Sequence, residues 1–133
     1  RNISHLLVPE GYDFKKLLDI LSEFDYLMDN DKYRNNFDYQ LSVKLLNKDD
    51  FLQGDDILLQ NSSRIASPIA TLHYQFYKNR NQADQIIQTH KDEIQCVVGD
   101  GYLPFGTAQK PGLSDYADNV DTMQFLLNLK ANK

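Results

Sequence analysis

A chain of 133 residues is long enough for one domain with a real core, and its 41% hydrophobic and 25% charged residues exclude a disordered tail or a low-complexity linker. The net charge of -5, with fourteen Lys and Arg scattered among nineteen Asp and Glu, leaves no basic stripe for nucleic acid. The longest apolar runs, such as 57–59 and 125–127, fall far short of the roughly 20 residues that span a bilayer.

The single cysteine, Cys96, has no partner for an internal disulfide, which makes the reducing cytoplasm the expected compartment. From the N-terminus, residues 3–8 are apolar and β-branched apart from Ser4 and His5, and Pro9-Glu10-Gly11 closes them, which predicts a buried strand. Asp13 is a good helix cap, and Phe14, Leu17, Leu18 and Leu21 follow at helical spacing, predicting a helix to about Phe24. The polar run 29–36 reads as a turn. Phe37, Leu41 and Leu45 then recur every four residues on a second helix, with Asn36 as its expected cap.

Gly54-Asp55-Asp56 predicts a turn into a short strand at 57–60. The clearest strand is 69–77, where Ala70, Leu72, Tyr74 and Phe76 alternate with Thr71, His73 and Gln75. Pro68 stands at its start, where a missing N–H does least harm. Asn81 is the expected cap of a helix carrying Ala83, Ile86 and Ile87, and 94–98 reads as a fourth strand closed by Gly99-Asp100-Gly101. Asp118, with Asp121 three residues later, imitates a capping box for a last helix through Val120, Met123 and Leu127. The rhythm predicts an α/β fold with flanking helices and some antiparallel pairing in its sheet.

Motifs for chemistry are few. Asp29-Asn30-Asp31 lacks the Gly and Glu that a calcium loop needs, and Gly99-Asp100-Gly101 is followed by Pro104 where a dinucleotide-binding helix would begin. His5, His73 and His90 stand far apart with no ligand spacing, so each reads as a packed or solvated residue. Cys96, inside a predicted strand with no cation beside it, reads as a buried structural thiol. Residues alone thus yield no self-contained active site, and no catalytic group or metal ligand is assigned.

Two runs carry a resemblance. Arg64-Ile65-Ala66-Ser67-Pro68-Ile69-Ala70 resembles the segment of aldehyde dehydrogenases that supports the nicotinamide side of the cofactor, and Leu103-Pro104-Phe105-Gly106, with Lys110 and Gly112, resembles a Leu-Pro-Phe-Gly-Gly run near their end. The similarity is closest to bacterial acyl-CoA reductases of that superfamily, including those that supply fatty aldehyde for bioluminescence. The runs 8–14, 92–96 and 115–123 look characteristic of one branch.

The resemblance implies that residues 1–133 are the C-terminal part of an aldehyde-dehydrogenase-like catalytic domain with a mixed, mostly parallel sheet. The catalytic Cys and the Rossmann cofactor domain would then lie upstream of Arg1. It implies an enzyme that takes an acyl group from acyl-CoA onto that Cys and reduces it with NAD(H) or NADP(H) to an aldehyde, working as a homo-oligomer. These residues alone would be inactive and hold no cofactor. Arg64, Ser67 and Pro68 are the implied cofactor contacts, and Phe105, Gly106 and Tyr116 the implied substrate contacts, the two loops converging on one rim. Phe105 and Tyr116 also admit a reading as core aromatics. Arg64 stands where the family has a Glu, so it suits an anion such as a phosphate or CoA, or is a solvated turn residue. Ser67 and Thr107 stand where the family has Gly. An aldehyde or acyl-phosphate enzyme of the same superfamily, or a non-enzymatic interaction module, are the alternatives.

Overall fold

The computed structural model describes residues 3–116 and 120–131. The chain divides into two compact units, Arg1–His90 and Lys91–Lys133. The first is an α/β layer structure built on a four-stranded, mostly parallel open sheet, and no helix among the described residues is long and apolar enough to cross a membrane.

In the first unit, strand β1 (His5–Pro9) is followed by helix α1 (Lys15–Leu21), a 3-10 segment (Ser22–Asp29) and helix α2 (Asp31–Asn47). The chain then forms β2 (Leu52–Gln53), β3 (Leu58–Asn61), β4 (Thr71–Tyr77) and helix α3 (Arg80–Thr89). The sheet order is β1-β4-β3-β2, with β1 and β3 both parallel to β4 and β2 antiparallel to β3. The β2–β3 turn is closed by Gly54 N–H donating to the Ile57 carbonyl at 2.8 Å. A Cβ at Gly54 would come within 2.9 Å of Leu18 Cδ2 and 3.3 Å of the Ile57 carbonyl oxygen, so a side chain there needs Leu18 and the turn to give way.

Alternation sorts the side chains to two faces. Val8, Leu59 and Leu72 meet Phe14 and the Leu17 and Leu18 side of α1 on one face. On the other, Leu58 and Ala70 pack with Phe37, Tyr33 and Leu41 of α2. Burying a side chain such as Leu59 removes all its area from water and contributes about 2 kcal/mol before entropy is counted.

Several predicted elements shift. Helix α2 begins before the expected Asn36, at a cap on Asn30, whose Oδ1 accepts from Tyr33 N–H at 3.1 Å; Asn36 is inside the helix and donates to the Lys32 carbonyl. Tyr33 is the reason, since it packs one turn ahead of Phe37 and draws the polar run into the helix. The stripe also turns. A strict four-residue repeat drifts around a helix of 3.6 residues per turn, so Lys44 is buried and Leu45 exposed. Helix α3 is capped by Asn79 rather than Asn81, and α1 gives way to 3-10 geometry before Phe24.

The second unit carries helix α4 (Thr122–Ala131), capped by Asp121 Oδ1 accepting from Gln124 N–H at 2.8 Å. Asp118 lies outside the described residues. Residues 94–98 do not form the predicted strand: Val98 makes a single bridge to Leu103. That bridge is parallel, and the four residues 99–102 between its ends are too few for a parallel crossover to grow into a ladder, while Pro104 lacks the N–H to extend it. Cys96 is consequently exposed instead of buried.

Candidate functional site

The connection from β3 to β4 shapes the most unusual polar arrangement of the first unit. These strands are adjacent and parallel, yet the loop 62–70 joining them is shorter than the roughly twelve residues a parallel crossover ordinarily takes, and it has no helix. A loop that short runs back along the sheet with its own backbone polar groups against it, and those groups need partners.

The sheet supplies them. Register sets His5 of β1 beside His73 of β4, and His73 beside Gln60 of β3, in one row on one face. His5 Nδ1 and His73 Nδ1 both reach the Arg64 carbonyl, at 3.0 and 2.9 Å. A carbonyl only accepts, so both imidazoles carry their proton on Nδ1, and the two lone pairs of the oxygen are both used. Lys44 of α2 donates from Nζ to Gln60 Oε1 and closes the row. His73 is 5% exposed and Lys44 4% exposed, although β4 reads as a strand with one polar face. The polar set is buried because β4 is central and its second face lies under α2 and the returning loop.

Electrostatics follow from burial. Removal from water lowers the His5 pKa, with the neighbouring His73 and His90 adding to the effect, while the Arg64 carbonyl and Gln75 oppose it. Burial likewise lowers the pKa of Lys44, and Asp49 opposes that. His5 Nε2, Gln75 Oε1 and Thr71 Oγ1 are buried without hydrogen-bond partners. Gln75 borders His5, so an amide turned end for end would present its NH2 to the His5 Nε2 lone pair.

The loop itself is tightly held. Ser62 N–H donates to the Tyr74 carbonyl at 3.1 Å, Leu58 N–H to the Ala70 carbonyl at 2.9 Å, and Ile65 is buried. Thr71 N–H donates back to the Pro68 carbonyl, forming a turn in which Ala70 has φ 60, a left-handed position where a side chain costs about 1–2 kcal/mol.

Arg64, Ser67 and Pro68 all lie on this loop; the Arg64 side chain is exposed and its N–H donates to Ser62 Oγ at 3.2 Å. Phe105, Gly106 and Tyr116 belong to the second unit. Phe105 is 82% exposed, which removes the core reading for it, and Tyr116 is exposed with its carbonyl accepting from Gln95 Nε2 at 3.1 Å. Gly106 has φ 81, so a glycine is needed there, while Ser67 and Thr107 have no positive φ and need none. His5 and His73 escape a spacing search because they are remote in sequence. The one sequence signal is that each sits on the polar parity of an apolar strand.

Among the described residues no group of three or more His, Cys, Asp or Glu is arranged to hold a metal ion. An open cleft of about 560 Å³ lies between the start of α1 and the β2–β3 turn, lined by Tyr12, Lys15, Leu18, Ser22 and Gly54 among others, and by none of the sequence-derived site residues. Comparison of the chain with family models, with curated proteins and with solved structures finds no match.

Proposed function

We propose that this chain is the C-terminal part of the catalytic domain of an acyl-CoA reductase of the aldehyde dehydrogenase superfamily. In the whole enzyme an upstream Cys takes the acyl group from the CoA thioester, CoA leaves as the thiol, and hydride from NADH or NADPH with one proton yields the aldehyde and frees the Cys. Residues of this chain supply the walls: the 62–70 loop for the dinucleotide, through Arg64, Ser67 and Pro68, and the 103–106 run with Tyr116 for the acyl group. A cytoplasmic location and a homo-oligomeric assembly are parts of the same reading.

One observation carries it. The Arg64–Pro68 run forms the return into the central parallel strand β4 and is hydrogen-bonded through its Arg64 carbonyl to His5 of β1, the strand that the resemblance sets directly after the nucleophile. A reductase of this kind needs such adjacency, because hydride donor and thioester must meet within about 3–3.5 Å. Arg64 in place of the family's Glu suits a phosphate of the dinucleotide or of CoA better than a ribose hydroxyl.

The test is turnover by the full-length protein with acyl-CoA, acyl phosphate and aldehyde, each with both nicotinamide cofactors. Acyl-CoA-dependent loss of reduced nicotinamide with release of free CoA thiol is expected. Turnover of only an aldehyde or acyl phosphate moves the assignment to another enzyme of the superfamily, and no turnover with any of them favours an interaction module.

A further inference from the structure

The loop that the proposed function gives to the dinucleotide is held by more than its own closure needs. One donor satisfies a carbonyl, yet the Arg64 carbonyl has two, His5 Nδ1 at 3.0 Å and His73 Nδ1 at 2.9 Å, from neighbouring strands in matched register. Both imidazoles commit an N–H to this one oxygen, His5 from β1 and His73 from β4. At the end of the same loop Ala70 occupies a left-handed backbone position that glycine would take with less strain. A doubly held carbonyl and a left-handed alanine in one short connection mark a segment whose geometry is closely fixed.

We infer that His5 and His73 are positioning residues which, by donating together to the Arg64 carbonyl, fix the 62–70 loop in the geometry from which it meets a nicotinamide dinucleotide. The choice of ligand rests on the proposed function; the clamp rests on the two bonds. Neither imidazole touches the ligand. Each acts through the loop backbone, which ties the loop at once to β1 and to β4, so that a ligand contact made by Arg64, Ser67 or Pro68 is referred to both strands.

The test uses the full-length protein carrying His5→Leu, His5→Asn or His73→Asn. An Asn amide N–H reaches the position of Nδ1, so Asn keeps the donor while Leu removes it. In His5→Leu, hydrogen exchange of peptides covering 62–70 is expected to speed up, and the dissociation constant and KM for the dinucleotide to rise about fivefold to tenfold, with kcat at saturating cofactor nearly unchanged. Both Asn variants are expected to restore loop protection and cofactor affinity to within about threefold of the unmutated protein. A role in stability alone predicts instead a lower melting temperature with exchange of 62–70 and KM unmoved, and that result overturns the inference. So does failure of His5→Asn to behave differently from His5→Leu. Absence of dinucleotide binding by the unmutated protein overturns the ligand assignment together with the proposed function, while the exchange of 62–70 still decides the clamp.

Discussion

At the scale of single residues, burial and orphaned polar atoms decide what a substitution does. Leu59 is wholly buried between the sheet and α1, so Leu59→Ala removes a side chain from a site that cannot fully collapse and is expected to cost about 2–5 kcal/mol in denaturant unfolding. Leu46, 83% exposed, serves as the control, with an expected change within about 0.5 kcal/mol. His5 sets a pH dependence. Burial holds its pKa below 6.5 in the folded chain, so the unfolded chain binds the proton first as the medium is acidified. Its contribution to stability is therefore complete above pH 6.5 and is lost as the pH falls through the lowered folded value. The groups around it, His73 of β4, His90 at the end of α3, the Arg64 carbonyl and Gln75, remain the same in His5→Asn. Thermal melting of that variant should lose less on passing from neutral to mildly acidic pH than the unmutated chain does. Asp56 carries the opposite sign. Burial raises its carboxyl pKa, with Asp55 and Asp25 adding to the effect, so the ionised form at neutral pH works against folding. Asp56→Asn should raise the melting temperature at neutral pH, and the gain should vanish below the ordinary aspartate value of 3.8.

Elements follow their caps and their neighbours. Asn30 satisfies the Tyr33 N–H at the start of α2, the helix that covers the polar row, and Asn30→Ala is expected to cost about 1 kcal/mol. The same substitution at Asn36, inside α2, should cost less, because only an outward bond to the Lys32 carbonyl is lost. Denaturant midpoints of the two variants check this, and equal losses would restore the later helix start. The turn entering β4 has its own signature: Ala70 at φ 60 tolerates glycine, whereas Ala70→Val sets a β-branched side chain in a left-handed position and is expected to lose about 2 kcal/mol or more. Strand β4 shows how an element's environment overrides its pattern. Its alternation is faithful, yet Thr71 and His73 are as buried as Leu72, since the start of this strand is covered on both faces, by the α1 side and by the α2 side with the returning loop.

For the molecule as a whole, the exposed apolar surface is the main unspent free energy. Met123, Phe125, Leu126, Leu127 and Leu129 of α4 are all exposed, as are Leu45 and Leu46 of α2. Surface of this kind favours association. Light scattering of the 133-residue chain at high concentration is expected to give a mass above its 15.4 kDa, and a strict monomer would remove the argument for self-association.

Local chemistry was enough to determine much of this protein. The apolar parity of β1 and β4, the Gly54 turn, the existence of helices α1 to α4 and the α/β class are all written in neighbouring residues, because hydrophobic periodicity and turn propensity act over a few positions. Boundaries were less legible: Asn30 and Asn79 compete with Asn36 and Asn81 as caps, and only packing of Tyr33 or the end of β4 selects between them. The segment 94–98 has strand composition and no strand, because a ladder needs a partner that Pro104 and the 99–102 turn do not provide. The histidine clamp lay beyond sequence altogether. His5, Arg64 and His73 meet because β1 pairs with β4 in a particular register and a short loop crosses the sheet face, and pairing between strands is a property of the folded chain, not of any window along it.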